Sequence, residues 1–586
     1  MKDFNQRVWV GQALIGVVFL ALLSQVVRLA YIQQSLRPEL LEYSRRRQCS
    51  KVTLPGRRGA ILDRRYRVLA GSHDHFHIYA DPQLVPNHAE VAVKLEAILG
   101  IPAAEIQEVF DHPTSPRYVM IARGVSSNEA EGVELLDIRG LGVRREPGRT
   151  HPMGTLGAHV LGFVGADSRG LEGVERVMDR YLKATPGERV VYRDVRRRAM
   201  FQAADSYVAP RDGMHVVLTL DAAIQETVER ELQHRVEAYE AESGIALVMS
   251  PRTGEVLAMA CAPTFDPVAP GKVRAELRRN RILTDPVEPG SIFKPFVFSA
   301  ALAHGLTRPD EVIDCERGMY KVGRRILHDH HANVALTAEQ VIIKSSNIGM
   351  AKLGERLGNP RIHEALLRFG FGRVTGIDLP GEGDGLLMPL SRWRDYTTLS
   401  VPMGQELAVT PTQLLTAFCA IANGGRLLQP RIISKVLNIE GEVIEDRDEV
   451  VDHGQALDPG VAATLREILV KVVEEGTGKG RCQLDKWLVM GKTGTAQVPW
   501  TNRRGYEPHA YLASFIAAAP ASDPRLAVLV MIRKPNYRKG YYGGVVAAPV
   551  AKAILEQALP YINAPADRPA KKPVEGQQWL VWNGQR

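Results

Sequence analysis

Residues Val8 to Val27 contain no charged side chain and include the unbroken run Leu14-Ile15-Gly16-Val17-Val18-Phe19-Leu20-Ala21-Leu22-Leu23. About 20 apolar residues in a helix suffice to cross a bilayer. Hydrocarbon offers no hydrogen-bond partners, so such a segment must satisfy its own backbone as a helix. A cleaved signal peptide would have a shorter apolar core ending in a small-x-small site. Here the run continues to Val27 and then meets Arg28, Leu29, Ala30 and Tyr31, which predicts an uncleaved signal anchor. Lys2 and Arg7 precede the span, but Arg28, Arg37 and Arg45-Arg46-Arg47 follow it. Charge bias alone therefore does not orient the helix.

The remaining chain is long enough for at least two globular domains: 586 residues, 45% hydrophobic and 24% charged. Five scattered cysteines, Cys49, Cys261, Cys315, Cys419 and Cys482, form no CxxC pair. Neither a zinc site nor a disulfide framework is indicated. The net charge is +8, with clusters at Arg45-Arg47, Arg57-Arg58, Arg64-Arg65 and Arg196-Arg198. Nucleic-acid binding is one reading of such runs. Solvated faces beside an anionic membrane surface are the preferred one.

After the anchor, residues 29 to about 50 read as a polar helix, and Lys51 to Ala70 as strand, turn, strand. A helical, charged region is expected from about Asn87 to Leu136. Glycine-spaced segments follow, Ala158-His159-Val160-Leu161-Gly162-Phe163-Val164-Gly165 and Gly170-Leu171-Glu172-Gly173-Val174-Glu175. Their spacing predicts short strands in an irregular α+β module. At Gly213 the character changes. His215 to Leu220 reads as a strand leading into a helix from Ala222 capped by Asp221. Gly244–Met249 and Val256–Ala260 read as strands around the turn Pro251-Arg252-Thr253-Gly254. Helices dominate from Ile292 to about Leu427. Strands return after Leu488, and a helix over Pro549 to Leu559 closes the domain. Beyond Asn563 the chain is Pro/Ala/Lys-rich and expected to be flexible, with Trp579-Leu580-Val581-Trp582 as an unassigned aromatic patch.

Three short motifs carry the chemistry. Ser291-Ile292-Phe293-Lys294 follows Glu288-Pro289-Gly290, and Ser345-Ser346-Asn347 and Lys492-Thr493-Gly494-Thr495 come later. A serine hydroxyl needs a base within hydrogen-bond reach to act as a nucleophile. Helical spacing of three puts Ser291 and Lys294 on one face. Lys294 can be that base if burial or a second cation, such as Lys492, lowers its pKa. SxxK and KTG each occur once, but SxN also occurs at Ser126-Ser127-Asn128. That copy precedes the nucleophile, is followed by Glu129 and Glu131, and reads as a helix N-cap. Motif order, more than occurrence, carries the signal. His328-Asp329-His330-His331 looks at first like a metal cluster. Neighbouring side chains of an extended segment point to opposite faces, so a polar surface strand is the preferred reading.

The motif set, with Arg58-Gly59 and Asp63-Arg64, Ala158-His159 to Gly162, and Gly170 to Glu175, resembles the class B penicillin-binding proteins. Lys344 to Gly349, Glu288 to Ser291 and Ala241 to Gly244 resemble their division-type branch. The elongation type is the alternative. One departure is Arg65-Tyr66, where the family usually has a polar residue and glycine. The resemblance implies an α+β protein with a single transmembrane helix, an elongated pedestal, and a transpeptidase domain built on a five-stranded antiparallel sheet flanked by helices, with an all-α subdomain. The corresponding limits are a cytoplasmic tail 1–7, an anchor 8–28, a pedestal 29–212, a transpeptidase domain 213–563 and a tail 564–586.

It further implies a D,D-transpeptidase that uses no cofactor or metal. Ser291, Lys294 and Ser345 would be catalytic, and Asn347, Lys492, Thr493, Gly494 and Thr495 would bind substrate. The implied ligands are peptidoglycan stem pentapeptides on lipid II-derived glycan, and β-lactams. The implied partners are an FtsW-like glycan polymerase and other division membrane proteins, with no nucleic acid. An extracytoplasmic substrate places the N-terminus in the cytoplasm and the catalytic domain outside the inner membrane. A D,D-carboxypeptidase and a division scaffold without needed catalysis remain as alternatives. A β-lactamase is disfavoured because no Glu-x-x-Leu-Asn lies between Asn347 and Lys492.

Overall fold

The computed structural model of the chain describes residues 2–35, 39, 42, 49–113, 115–193, 199–500 and 502–568. The Arg45-Arg47 and Arg196-Arg198 clusters, most of the polar segment after the anchor, and the Trp579–Trp582 patch lie outside the described residues.

The chain forms two compact units. The first comprises residues 1–57 and 184–212. Its first element is the helix Lys2–Gln34, long and apolar enough to cross a membrane. Leu14, Val18 and Leu22 are exposed along with the rest of its apolar surface. A helix that is apolar all round and unpacked calls for a lipid solvent. The same unit holds a three-stranded antiparallel sheet ordered Cys49–Leu54, Gly187–Arg193, Ala199–Val208.

The second unit comprises residues 58–183 and 213–586, so the chain passes from the first unit to the second at residue 213. The short strand Ile61–Leu62 pairs in parallel with His215–Leu218, which pairs antiparallel with Ile433–Leu437. One sheet therefore joins the segment before residue 183 to the segment after 213. Two local readings change here. The region expected to be helical from 87 to 136 holds three helices, His88–Leu99, Ala103–Asp111 and Ser127–Leu135, but also the strand Val119–Val125. That strand pairs with Phe76–Ala80, burying Val119 and Ala122. The segments expected as glycine-spaced strands form one-turn helices instead, Ala158–Leu161 and Gly173–Val177. Their glycines serve close approach: a Cβ on Gly162 would lie 1.9 Å from the Glu172 carbonyl oxygen.

The catalytic region is built on an antiparallel five-stranded sheet ordered Val256–Ala262, Ser243–Met249, Leu526–Arg533, Tyr506–Ala519, Met490–Pro499. Successive side chains of a strand point to opposite faces. Ala246 and Val248 pack with Ile224, Val228 and Leu232 of the helix Ala222–Ala238, and with Ile554 and Leu555 of Ala548–Tyr561. Ile245, Leu247 and Met249 face the other way, toward Phe296 of the helix Lys294–Ala303 and Phe418 of Pro411–Ala422. Both faces are covered, which explains why these strands read as continuous apolar runs. Asp221 caps the helix Ala222–Ala238 by accepting from Ala223 N, as its sequence predicts. Residues just past 563 are tied down: Asp567 accepts from Leu488 N at 2.7 Å and Ser522 N at 2.9 Å, and Arg568 pairs with Glu474 at 2.6 Å.

Candidate active site

The nucleophile segment begins as a tight turn. Gly290–Phe293 is a 3-10 helix that runs into the helix Lys294–Ala303. Gly290 has φ +59°, a conformation open to glycine. Its amide donates to Gly404 O at 3.2 Å, and Gly404 must itself be glycine, since a Cβ there would lie 2.2 Å from Gly290 O. This close packing fixes where Ser291 stands. The Ser291 side is half-buried while Lys294, three residues on, is fully buried.

Lys294 Nζ donates to Ser345 O at 2.7 Å, Asn347 Oδ1 at 2.8 Å and Ser345 Oγ at 3.2 Å. Lys492 Nζ donates to the same Ser345 Oγ at 2.9 Å and to Thr493 O at 3.1 Å. One hydroxyl thus bridges two buried amines. Burial lowers the Lys294 pKa to about 7, opposed by the carboxylate of Asp329. Lys492 is held well below its ordinary value, first by burial and then by Lys294. Two adjacent buried ammonium groups would repel with little solvent to screen them, so the pair favours at least one neutral amine at neutral pH. The hydrogen bonds of Lys294 go to the SxN loop, and among those of the described residues none goes to the Ser291 hydroxyl.

The SxN loop is held in an unusual conformation. Ser345 has φ +62°, uncommon for a residue with a Cβ. Ser346 caps the helix Asn347–Arg368 by accepting from Gly349 N at 3.0 Å. Such a cap is worth about 1 kcal/mol. Ser346 Oγ donates at 2.6 Å to Asp329, whose carboxylate also accepts from the amides of Asn347 and Ile348. Asn347 Nδ2 donates to His328 O at 3.0 Å. The segment read as a polar surface strand therefore ends the hairpin strand Arg325–His328 and turns Asp329 inward to anchor the loop. No local pattern signals this, because Asp329 stands 17 residues from its partner Ser346. The other copy of SxN behaves as expected: Ser126 and Glu129 form a reciprocal capping box far from these groups in sequence.

Lys492 to Thr495 lie on Met490–Pro499, the edge strand of the five-stranded sheet. Gly494 pairs with Ser514 in register and faces Ile292. A Cβ on Gly494 would lie 2.5 Å from Ser514 Oγ and 2.8 Å from Ile292 Cγ2, so glycine lets the edge strand and the nucleophile turn touch. Thr493 Oγ1 bonds Thr477 Oγ1 at 2.6 Å, and Thr495 Oγ1 accepts from Gly543 N at 3.1 Å. Thr477 and Gly543 carried no recognisable signal. All eight expected residues thus come from three elements that converge on Lys294 and Lys492. An unpaired strand edge next to a half-buried serine and two low-pKa amines is a site for an extended peptide and acyl transfer.

Comparison with known proteins agrees. Residues 244–556 match the family described as the penicillin binding protein transpeptidase domain, and residues 53–218 match the penicillin-binding protein dimerisation domain. The chain belongs to the penicillin-binding protein transpeptidase family. It is 33% identical to the probable peptidoglycan D,D-transpeptidase PbpC of Pseudomonas aeruginosa, covering 94% of each chain. It is 32% identical to the peptidoglycan D,D-transpeptidase FtsI of Escherichia coli, covering 95% of this chain and 93% of that one. Among solved structures, penicillin binding protein 3 of Mycobacterium tuberculosis complexed with aztreonam has a TM-score of 0.67 and 28% identity, covering 88% of this chain and 99% of that one. The α+β architecture, the penicillin-binding serine transpeptidase activity and the apolar N-terminal helix are those of this family.

Proposed function

We propose that this penicillin-binding protein cross-links stem peptides during septal wall synthesis. The observation that carries the chemistry is the Ser345 hydroxyl shared by Lys294 and Lys492 at 3.2 and 2.9 Å. Neutral Lys294 takes the Ser291 proton as the oxygen attacks the penultimate D-Ala carbonyl. A C–O bond forms, the C–N bond to terminal D-Ala breaks, and Ser345 relays a proton to the leaving nitrogen. An amine of a neighbouring stem peptide then displaces Ser291, forming the cross-link and returning the proton. Such positioned proton transfers are typically worth about 10²–10⁴ in rate. Asn347 orients Lys294 and the substrate amide. Lys492, Thr493 and Thr495 receive the substrate carboxylate, with Gly494 permitting close approach. The backbone N–H groups of Ser291 and Thr495 form the oxyanion hole, a contribution of about 3 kcal/mol per donor.

The division role rests on the motif resemblance and on relatives such as FtsI. In this reading the N-terminus is cytoplasmic, the catalytic unit lies outside the inner membrane, and an FtsW-like polymerase supplies glycan. The fluorescently tagged full chain should concentrate at midcell, whereas sidewall distribution would favour the elongation type. Product analysis with an acceptor peptide should give cross-linked dimer. Release of D-Ala without dimer would make the enzyme a carboxypeptidase.

A further inference from the structure

The edge strand that carries Lys492 to Thr495 does not stop at the site. It continues to Pro499, and the next strand returns from Tyr506. At about 3.3 Å per residue, Trp500 lies roughly 16 Å along the strand from Thr495. Two contacts join the described residues of the tip. Trp500 N donates to Gly505 O at 3.0 Å, and the Arg503 guanidinium sits 3.9 Å from the Trp500 ring centroid. Arg503 and Arg504 are exposed. Among the described residues neither forms an ion pair, although their neighbours do: Glu507 binds Lys534 at 2.7 Å, and Glu288 accepts from Tyr506 at 2.9 Å.

The Tyr506–Glu288 bond ties the base of this tip to the residue three before Ser291. The hairpin Met319–Val322 and Arg325–His328 leads into Asp329. Arg325 is itself paired with Glu406 at 3.5 Å, while the exposed turn residue Arg324 has no ion pair among the described residues. The tip, tied through Tyr506 to the residue three before Ser291, therefore presents the unneutralised guanidinium groups of Arg503 and Arg504. A stack on tryptophan pre-organises one of them. Like charges left unpaired around a cleft attract anions and raise their local concentration.

We propose that Trp500, Arg503 and Arg504 form a subsite for the carboxylate-bearing stem peptides of a peptidoglycan strand, outside the motifs that bind the reacting dipeptide. Trp500 supplies an apolar face and a fixed guanidinium plane, and the arginines receive carboxylates of residues and neighbouring stems that do not react. This assignment rests on the transpeptidase reading. It deepens that reading by making strand affinity separable from chemistry at Ser291.

The test uses the full chain in detergent and three substrates: a fluorescent penicillin, a small amine acceptor such as a free D-amino acid, and uncross-linked peptidoglycan strands. For Arg503→Glu/Arg504→Glu, penicillin acylation and transfer to the small amine should stay near wild type. KM for strands should rise roughly tenfold with kcat little changed, and the salt dependence of strand use should flatten. Arg503→Lys/Arg504→Lys should restore most of the strand affinity, and Trp500→Phe should lie between. An unchanged strand KM in the double Glu variant overturns the proposal. So does an equal loss of penicillin acylation and small-amine transfer, because it would mean that the tip merely supports the edge strand. Penicillin uptake by Ser291→Ala would instead overturn the underlying nucleophile assignment.

Discussion

Ser345 concentrates the chemistry at one hydroxyl, in a backbone conformation that Asp329 holds in place through Ser346, Asn347 and Ile348. With Lys294 titrating at about 7, its neutral, basic form gains ground as pH rises. The rate of Ser291 acylation by a penicillin should therefore climb through about pH 7 and level off above it. Asp329 favours the charged form of Lys294, so removing its charge lowers the lysine's pKa further. Asp329→Asn should shift the acidic limb of the acylation profile to lower pH while reducing the plateau rate, read by stopped-flow or time-resolved gel labelling. The same depressed pKa has a stability consequence of fixed sign. Between about 7 and 10.5 the unfolded chain binds the extra proton at Lys294, so this group's contribution makes stability rise with pH over that window. The eight motif residues were legible in sequence because each chemical group recurs at a fixed spacing. Asp329 was not, because its role comes from a hairpin that returns it to a loop distant in sequence. The His-Asp-His-His string drew attention to metal binding, whereas a carboxylate serving backbone amides leaves no pattern.

The elements that hold these residues are set by close backbone approach. The edge strand Met490–Pro499 can lie against the nucleophile turn because Gly494 has no Cβ to strike Ser514 and Ile292. Gly494→Ala should push the strand from the turn. A shift of about 1 Å at such a site can cost on the order of 10²-fold in rate. The prediction is slowed penicillin acylation with near-native circular dichroism. Acylation at the wild-type rate would show that the contact yields cheaply. The sheet strands and the helix after Asp221 were readable from apolar runs and a capping residue. The short helices at Ala158–Leu161 and Gly173–Val177 were not. Glycines every few residues suggest turns between strands, but here Gly162 and Gly173 let two backbones pack together, and sequence spacing does not record which backbone lies opposite.

At the scale of the whole molecule, the larger unit is held by a buried ionic cluster between segments far apart in sequence. Glu175, fully buried, receives Arg58 Nε and Arg149 Nε at 2.6 Å each, and Arg58 also binds Asp179 at 2.7 Å and Ser168 O at 2.9 Å. Removing one partner of a buried ion pair leaves uncompensated charge, at a cost of about 3–5 kcal/mol. Glu175→Ala should lower the urea midpoint of the larger unit substantially while leaving Ser291 reactive in molecules that remain folded. An unchanged midpoint would show the cluster to be dispensable. The motifs Arg58-Gly59 and Gly170 to Glu175 were visible as family features, but nothing in their spacing revealed that they meet. The parallel pairing of Ile61–Leu62 with His215–Leu218 was equally hidden, because the two strands stand far apart in sequence.

The assignment of Ser291 as the acylated residue underlies the whole account. Full-length wild type and Ser291→Ala should be incubated with fluorescent penicillin, denatured and resolved, with the labelled peptide of the wild type identified by mass. One covalent label on Ser291 is expected in the wild type and none in the folded variant. Covalent labelling of Ser291→Ala, or a wild-type label on any other residue, would contradict it.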